Sequence, residues 1–171
     1  MMPLSRILMT EDDMASLREL VRRGRAVSSR DQDHLEELDR ELDRAEVVSA
    51  ENLSPDVVTM QSTVRVRDID SGTRVVYTIV YPVDADIDRK RISILAPIGT
   101  ALIGYRAGDV IEWATPGGTR RLQIEKVLFQ PEAAGGADIA PRQHAVHDMA
   151  MGAAAQGRGP VRSHEWPLVR L

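Results

Sequence analysis

The 171-residue chain predicts an α+β fold: a short N-terminal antiparallel helical hairpin of coiled-coil character, a small antiparallel β-sheet domain with one short helix, and a disordered C-terminal tail. Three features point there. Apolar residues first recur at helical spacing, from Ser54-Pro55 onward the period changes to two, and past Gly135 the composition collapses into Ala, Gly, Pro, Arg and His with no sustained period. The boundaries follow as residues 1–50, 51–135 and 136–171.

The first helix starts at Thr10-Glu11-Asp12-Asp13, where a capping hydroxyl precedes three carboxylates that suit the positive end of a helix dipole. Met14, Leu17, Leu20 and Val21 share one face, and the segment is expected to fail at Arg23-Gly24-Arg25. Arg22, Arg23, Gly24 and Arg25 are thus the expected hairpin tip, with Asp31 and Asp33 just beyond it. Ser28 or Ser29 caps the second helix, in which Leu35, Leu38, Leu42 and Ala45 follow the 3-4-3 seam of a coiled coil. At 1.5 Å per residue the arms reach roughly 20–25 Å. Three or four apolar layers are marginal for a free coil in water, so the hairpin should lean on the next domain.

In the sheet domain Val64 and Val66 alternate with Arg65 and Arg67. Asp70-Ser71-Gly72 turns the chain into the apolar run Val75–Tyr81, expected to be the central strand. Pro82–Lys90 reads as a solvated connection; its alternating Asp84, Asp86 and Asp88 lack the glycine and closing glutamate of a calcium loop. Ile92 and Ile94 alternate as a strand that Pro97 and Gly99 break. A short apolar helix around Ala101–Ile103 follows, closed by Gly104 at positive φ. Asp109–Ala114, a Pro116-Gly117-Gly118 turn and a strand from Leu122 complete the sheet. The inward phase of that last strand shifts to Val127 and Phe129, as a bulge near Glu125-Lys126 would produce.

Composition narrows the function classes. No run approaches the ~20 apolar residues of a membrane-spanning helix, and the start has no signal-peptide pattern. Absent cysteine excludes disulfides, thiolate metal sites and thiol nucleophiles, as suits a cytoplasmic protein. His34, His144, His147 and His164 do not have metal-ligand spacing, and no cofactor is expected. The formal net charge is −4, with the acidic excess in the first 46 residues. A mildly acidic chain with one Phe, two Trp and three Tyr lacks the basic, aromatic-rich surface that binding nucleic acid directly usually requires; no direct sequence-specific nucleic-acid contact is expected, and a protein partner is the better expectation. No catalytic triad, phosphate loop or paired-carboxylate site has the context catalysis needs.

The string Ile92–Gly104, followed by Gly108-Asp109, resembles the signature of the C-terminal domain of the Gre transcript-cleavage factors and their relatives. Glu41–Ala45, Pro55–Ser62, Val80-Tyr81-Pro82, Pro116-Gly117-Gly118 and Gln130–Gly135 resemble one branch of that family, and the likeness covers about Leu4 to Gly135. It implies a hairpin on an FKBP-like domain that binds the rim of the RNA polymerase secondary channel, with Leu95, Ala96, Pro97 and Ile98 gripping that rim. Leu95 and Ala96 stand where the cleavage factor GreB has an aspartate and a serine, so an apolar contact replaces a polar one. Gre factors carry carboxylates at the tip of a longer coiled coil to help hold a catalytic metal. A short hairpin with a basic tip implies occupancy of the channel, as a monomer and in competition with Gre factors, without cleavage. Three rival readings remain: a cleavage-stimulating factor using Asp31, Asp33, Glu36 and Glu37; a prolyl isomerase, for which the aromatic residues are few; and a module that self-associates through its leucine seam.

Overall fold

The computed structural model describes residues 6–27, 31–115 and 117–135. Strand β1 (Leu8–Thr10) leads into α1 (Glu11–Val27), α2 (Gln32–Arg44) runs back, and β2 (Glu46–Val48) closes the unit by pairing parallel to β1. The sequence pattern did not predict this ribbon, because three-residue strands carry no measurable period. Thr10 caps α1 as expected, its Oγ1 accepting the Asp13 N–H at 3.1 Å. Helix α1 does not fail at Gly24 but continues to Val27. The reason is packing: a Cβ on Gly24 would lie 2.8 Å from Leu35 Cδ1, so the missing side chain lets the two helices approach. Arg22, Arg23, Gly24 and Arg25 therefore occupy the end of α1 and not the turn. Residue Asp31 stands at the N-cap position of α2, and the expected caps Ser28 and Ser29 lie outside the described residues.

Five strands form the main sheet: β3 (Thr63–Asp68), β4 (Arg74–Val80), β5 (Arg91–Ser93), β6 (Val110–Thr115) and β7 (Gly118–Phe129), in the order β5-β4-β3-β7-β6. The central strand is β3, not the apolar run in β4. The sheet is mixed, not antiparallel throughout, because β5 pairs parallel to β4. That pairing follows from the connection 81–90, which carries the chain back along the sheet edge and so lets β5 run in the same direction as β4. Asp68 Oδ1 accepts the Asp70 and Ser71 N–H groups at 2.9 and 2.8 Å, and Gly72 takes φ +74°, which together form the β3–β4 turn. The expected bulge is present, for Arg65 pairs with Lys126 and Val66 with Ile124, leaving Glu125 unmatched. A second irregularity at Leu128 changes the phase again. Phe129 is consequently 42% exposed and does not face the core as expected, whereas Val127 packs against it.

Helix α3 (Pro97–Leu102) begins earlier than the sequence pattern indicates, with Pro97 as its first residue, a position where the absent N–H costs nothing. One apolar core joins all layers. It takes Leu17 and Val21 from α1, Leu35, Leu38 and Leu42 from α2, Ile98 and Leu102 from α3, and Val64, Val66, Ile79, Ile92, Ile111, Leu122 and Ile124 from the sheet. Each such side chain contributes about 1.5–3 kcal/mol on burial, so the marginal hairpin gains its stability from the sheet domain. Among the described residues no helix is long and apolar enough to cross a membrane. The expected tail, residues 136–171, lies outside the described residues.

Candidate functional site

The corner between β5 and α3 is built by short-range hydrogen bonds. Ser93 Oγ accepts the Leu95 N–H at 3.1 Å, Ser93 O accepts the Ala96 N–H at 3.0 Å, and Ala96 O takes the first helical bond from Thr100 N–H at 3.0 Å. Inside the bend the Thr100 hydroxyl donates to Ile94 O at 2.7 Å, satisfying both groups where water is excluded. Strand end and helix start are so close that a Cβ on Gly99 would sit 2.2 Å from Ser93 O. Past α3, Gly104 at φ +78° donates to Val58 O at 2.7 Å and accepts Leu8 N–H at 2.9 Å, which ties the corner to the base of the hairpin.

This geometry separates the four expected contact residues. Pro97 is exposed, and Leu95 and Ala96 are half-buried with their inner sides on the core. Ile98 is 3% exposed and belongs to the core, so its side chain supports the corner from behind and does not take part in the outer surface. An alternating apolar pattern marks the bend but does not say which side chain turns outward once the helix starts at Pro97.

At the other end of the hairpin, ion pairs organise the basic residues. Arg18 reaches Asp39 at 2.6 Å and Asp43 at 2.7 Å, and Arg25 reaches Asp39 at 2.8 Å. Arg22 donates through both Nε and Nη2 to Glu19 at 2.7 Å, with Arg23 on the same carboxylate. Those hydrogen bonds hold Glu19 down at a pKa of about 2. The acidic start of α2, Asp31 and Asp33, is exposed; Asp31 O accepts the Leu35 N–H at 2.9 Å, and Asp33 lies in the first turn, where it complements the helix dipole. Among the described residues no three His, Asp or Glu side chains stand together as a metal ion would require.

A polar knot at the hairpin base was not anticipated from sequence. The Asp13 carboxylate accepts the Met60 N–H at 3.0 Å, while Thr59 Oγ1 donates to Glu132 at 2.8 Å and bonds Ser62 Oγ at 2.9 Å. Burial raises the Asp13 pKa to about 6, helped by the nearby Glu132 and Asp12 and opposed by the Met60 hydrogen bond. Beside it, Gln130 donates to Ser54 O and Val57 O at 2.9 and 2.8 Å, pinning the end of β7. The one sequence signal was a third carboxylate in a helix turn already capped by Thr10.

The aromatic residues considered for an isomerase pocket do not line one. Tyr77, Tyr81, Tyr105 and Trp113 pack against the core, and Phe129 is on the other face of the sheet. A cleft of about 460 Å³ is polar, lined by Arg6, Glu46, Asn52, Arg106 and Asp109 with Leu8 and Val48, and has no aromatic wall.

Comparison with known proteins matches both parts of the chain. A family model described as the C-terminal domain of transcription elongation factor GreA/GreB matches residues 53–129, and one described as the Rnk N-terminus matches residues 6–48. The regulator of nucleoside diphosphate kinase of Escherichia coli (strain K12) is 44% identical over 99 residues, covering 57% of this chain and 73% of that protein. Transcription elongation factor GreA of Rhodospirillum rubrum is 42% identical over 95 residues, covering 56% of this chain and 60% of its own length. Among solved structures, a prokaryotic transcription elongation factor GreA/GreB from Nitrosomonas europaea has 42% identity and a TM-score of 0.59, covering 72% of this chain and 98% of that one.

Proposed function

The chain belongs to the GreA/GreB family, with the N-terminal hairpin of its Rnk branch, and from that premise we propose that this transcription-related regulator docks on RNA polymerase at the rim of the secondary channel without stimulating transcript cleavage. The corner Leu95-Ala96-Pro97 makes the contact. The observation that carries this reading is the close packing of that corner: Gly99 lies tight against Ser93 O and the Thr100 hydroxyl bonds Ile94 O, holding half-buried Leu95 and Ala96 beside exposed Pro97. Preorganisation of this kind cuts the ordering cost of binding.

The hairpin argues for occupancy without catalysis. Its 17-residue first arm spans about 25 Å, and at its distal end Arg22, Arg23 and Arg25 engage Glu19 and Asp39, which leaves those carboxylates paired and not free to hold magnesium. Any influence on nucleoside diphosphate kinase then runs through transcription and not through contact with nucleotides.

Competition with a Gre factor for purified RNA polymerase tests the proposal. The parent chain displaces the Gre factor and cuts no RNA in backtracked complexes, and Pro97→Ala, an exposed substitution that leaves the core intact, competes about ten-fold less well, the ~1.4 kcal/mol expected of one apolar contact. Equal competition by Pro97→Ala removes the grip from this corner. Cleavage of backtracked RNA on adding the parent chain overturns the non-catalytic reading.

A further inference from the structure

The net charge of −4 hides a basic face on the outer side of the sheet. Because Val64 and Val66 point into the core, the alternate positions Arg65 and Arg67 of β3 stand on the opposite side. Strand pairing sets Arg67 directly opposite Arg74 of β4, and Arg65 directly opposite Lys126 of β7. Like charges directly opposed are destabilising. One carboxylate, Glu125 on the bulge, answers them: it accepts Arg74 Nε at 2.9 Å and Arg65 Nε at 3.1 Å, and the two guanidinium groups draw its pKa below the usual range. Glu112 of β6 also lies on this face, opposite Arg121, which pairs with Asp70; cations still outnumber carboxylates there, five to three, with Arg65 and Arg74 side chains 44% and 57% exposed. Steps along it are about 6.8 Å within a strand and about 4.8 Å between strands.

Two further features of the same face select the partner. Apolar Val76 and Val110 lie on β4 and β6, separated by β3 and β7, so they form no seam on which an amphipathic helix could pack. At one end of the cation rows the exposed ring of Phe129 pairs across to Thr63, whose hydroxyl lies 3.0 Å from that of Thr78. Phosphates on the arginines, a base on Phe129 and a ribose hydroxyl on the threonine pair make a stacking platform of the kind single strands use. We propose that this face binds single-stranded RNA through its backbone, without sequence preference, at a place separate from the Leu95–Pro97 corner.

The experiment is fluorescence anisotropy of the full chain with a fluorescein-labelled 20-mer of uridine. Binding weakens as salt rises, with a slope of log K against log[salt] of about −2, as neutralising three phosphates requires. Arg65→Gln combined with Arg74→Gln lowers affinity at least ten-fold and flattens the slope, and Lys126→Gln, a change at an exposed position, lowers it about three-fold. Phe129→Ala lowers affinity about five-fold without altering the slope, because stacking releases no counterions. Arg40→Gln on α2 changes nothing. Circular dichroism confirms that each variant is folded. Absence of binding at 50 mM salt overturns the proposal, as does an unchanged Lys126→Gln. The assignment to RNA falls if a DNA 20-mer of thymidine binds as tightly, or if a polyglutamate peptide binds this face more tightly than RNA does.

Discussion

The hairpin and the β5–α3 corner both use a glycine to bring two elements close together, but what stands opposite differs. Gly24 in α1 faces the terminal methyl groups of Leu35, which can change rotamer; Gly99 in α3 faces the backbone carbonyl oxygen of Ser93, which is held by the Ala96 N–H. The first contact is adjustable and the second is not. In the function proposed above, an arm entering a channel would tolerate adjustment, whereas a surface gripping a partner must keep its shape.

The sharpest way to break this contrast is Gly99→Ala. The new methyl would lie 2.2 Å from Ser93 O and 3.1 Å from Ile94 Cα, with no side chain to move aside. Strand end and helix must separate, and a loss of about 3 kcal/mol or more is expected, at the upper end of overpacking costs. Denaturant unfolding measures it. A loss below about 1 kcal/mol would mean that the corner yields and is no more rigid than the hairpin.

Next in size is Asp13→Asn at the joint between the two regions. A carboxyl whose folded pKa is raised to about 6 binds its proton more tightly in the folded than in the unfolded chain. Stability therefore falls as pH rises from about 4 to about 6, and above that the burial penalty is complete, on the order of 2–3 kcal/mol. Asparagine keeps an acceptor for the Met60 N–H and carries no charge. The variant is expected to be more stable than the parent by about 2 kcal/mol at pH 8, with the difference gone below pH 4. Thermal unfolding at several pH values checks it, and a pH-independent difference would remove Asp13 as its source.

How much of this was legible in advance divides along the same line as the glycines. The Thr10 cap, the leucine spacing of α2, the bulge at Glu125 and the positive φ of Gly104 are encoded by neighbours in sequence, and local chemistry suffices to read them. The raised pKa of Asp13 depends on Glu132 and on Met60, which only the fold brings together. The same holds for the arginine face, since Arg65, Arg74 and Lys126 meet only through strand register. At the corner the bend was readable from Pro97 and Gly99, but the inward turn of Ile98 was not, because it depends on where the helix begins. The β1–β2 ribbon was invisible for a different reason: six residues in two pieces hold too little pattern to stand out.

A smaller effect is expected from Arg18→Ala, which removes both bridges between α1 and α2 at Asp39 and Asp43. With the Arg18 side chain 40% exposed, solvent screens these pairs. The loss should be about 1 kcal/mol at low salt and smaller at 1 M salt. A salt-independent loss would assign the effect to packing of the aliphatic stem instead.

The smallest effect sharpens the comparison most. Gly24→Ala replaces the poorest ordinary helix residue with the best in the interior of α1, a gain of up to about 1 kcal/mol. Against it stands a methyl 2.8 Å from Leu35 Cδ1 and Cδ2, in a core where Leu35 is 1% exposed and must find another rotamer or push α2 outward. The two terms are of similar size, so net stability should change by less than about 1 kcal/mol. Because the hairpin takes up the methyl by a small shift of α2 and the corner is untouched, competition for RNA polymerase by this variant is expected to match the parent. A loss comparable to that of Gly99→Ala would show that the helix contact is as rigid as the corner, and the distinction between an adjustable arm and a fixed grip would fail.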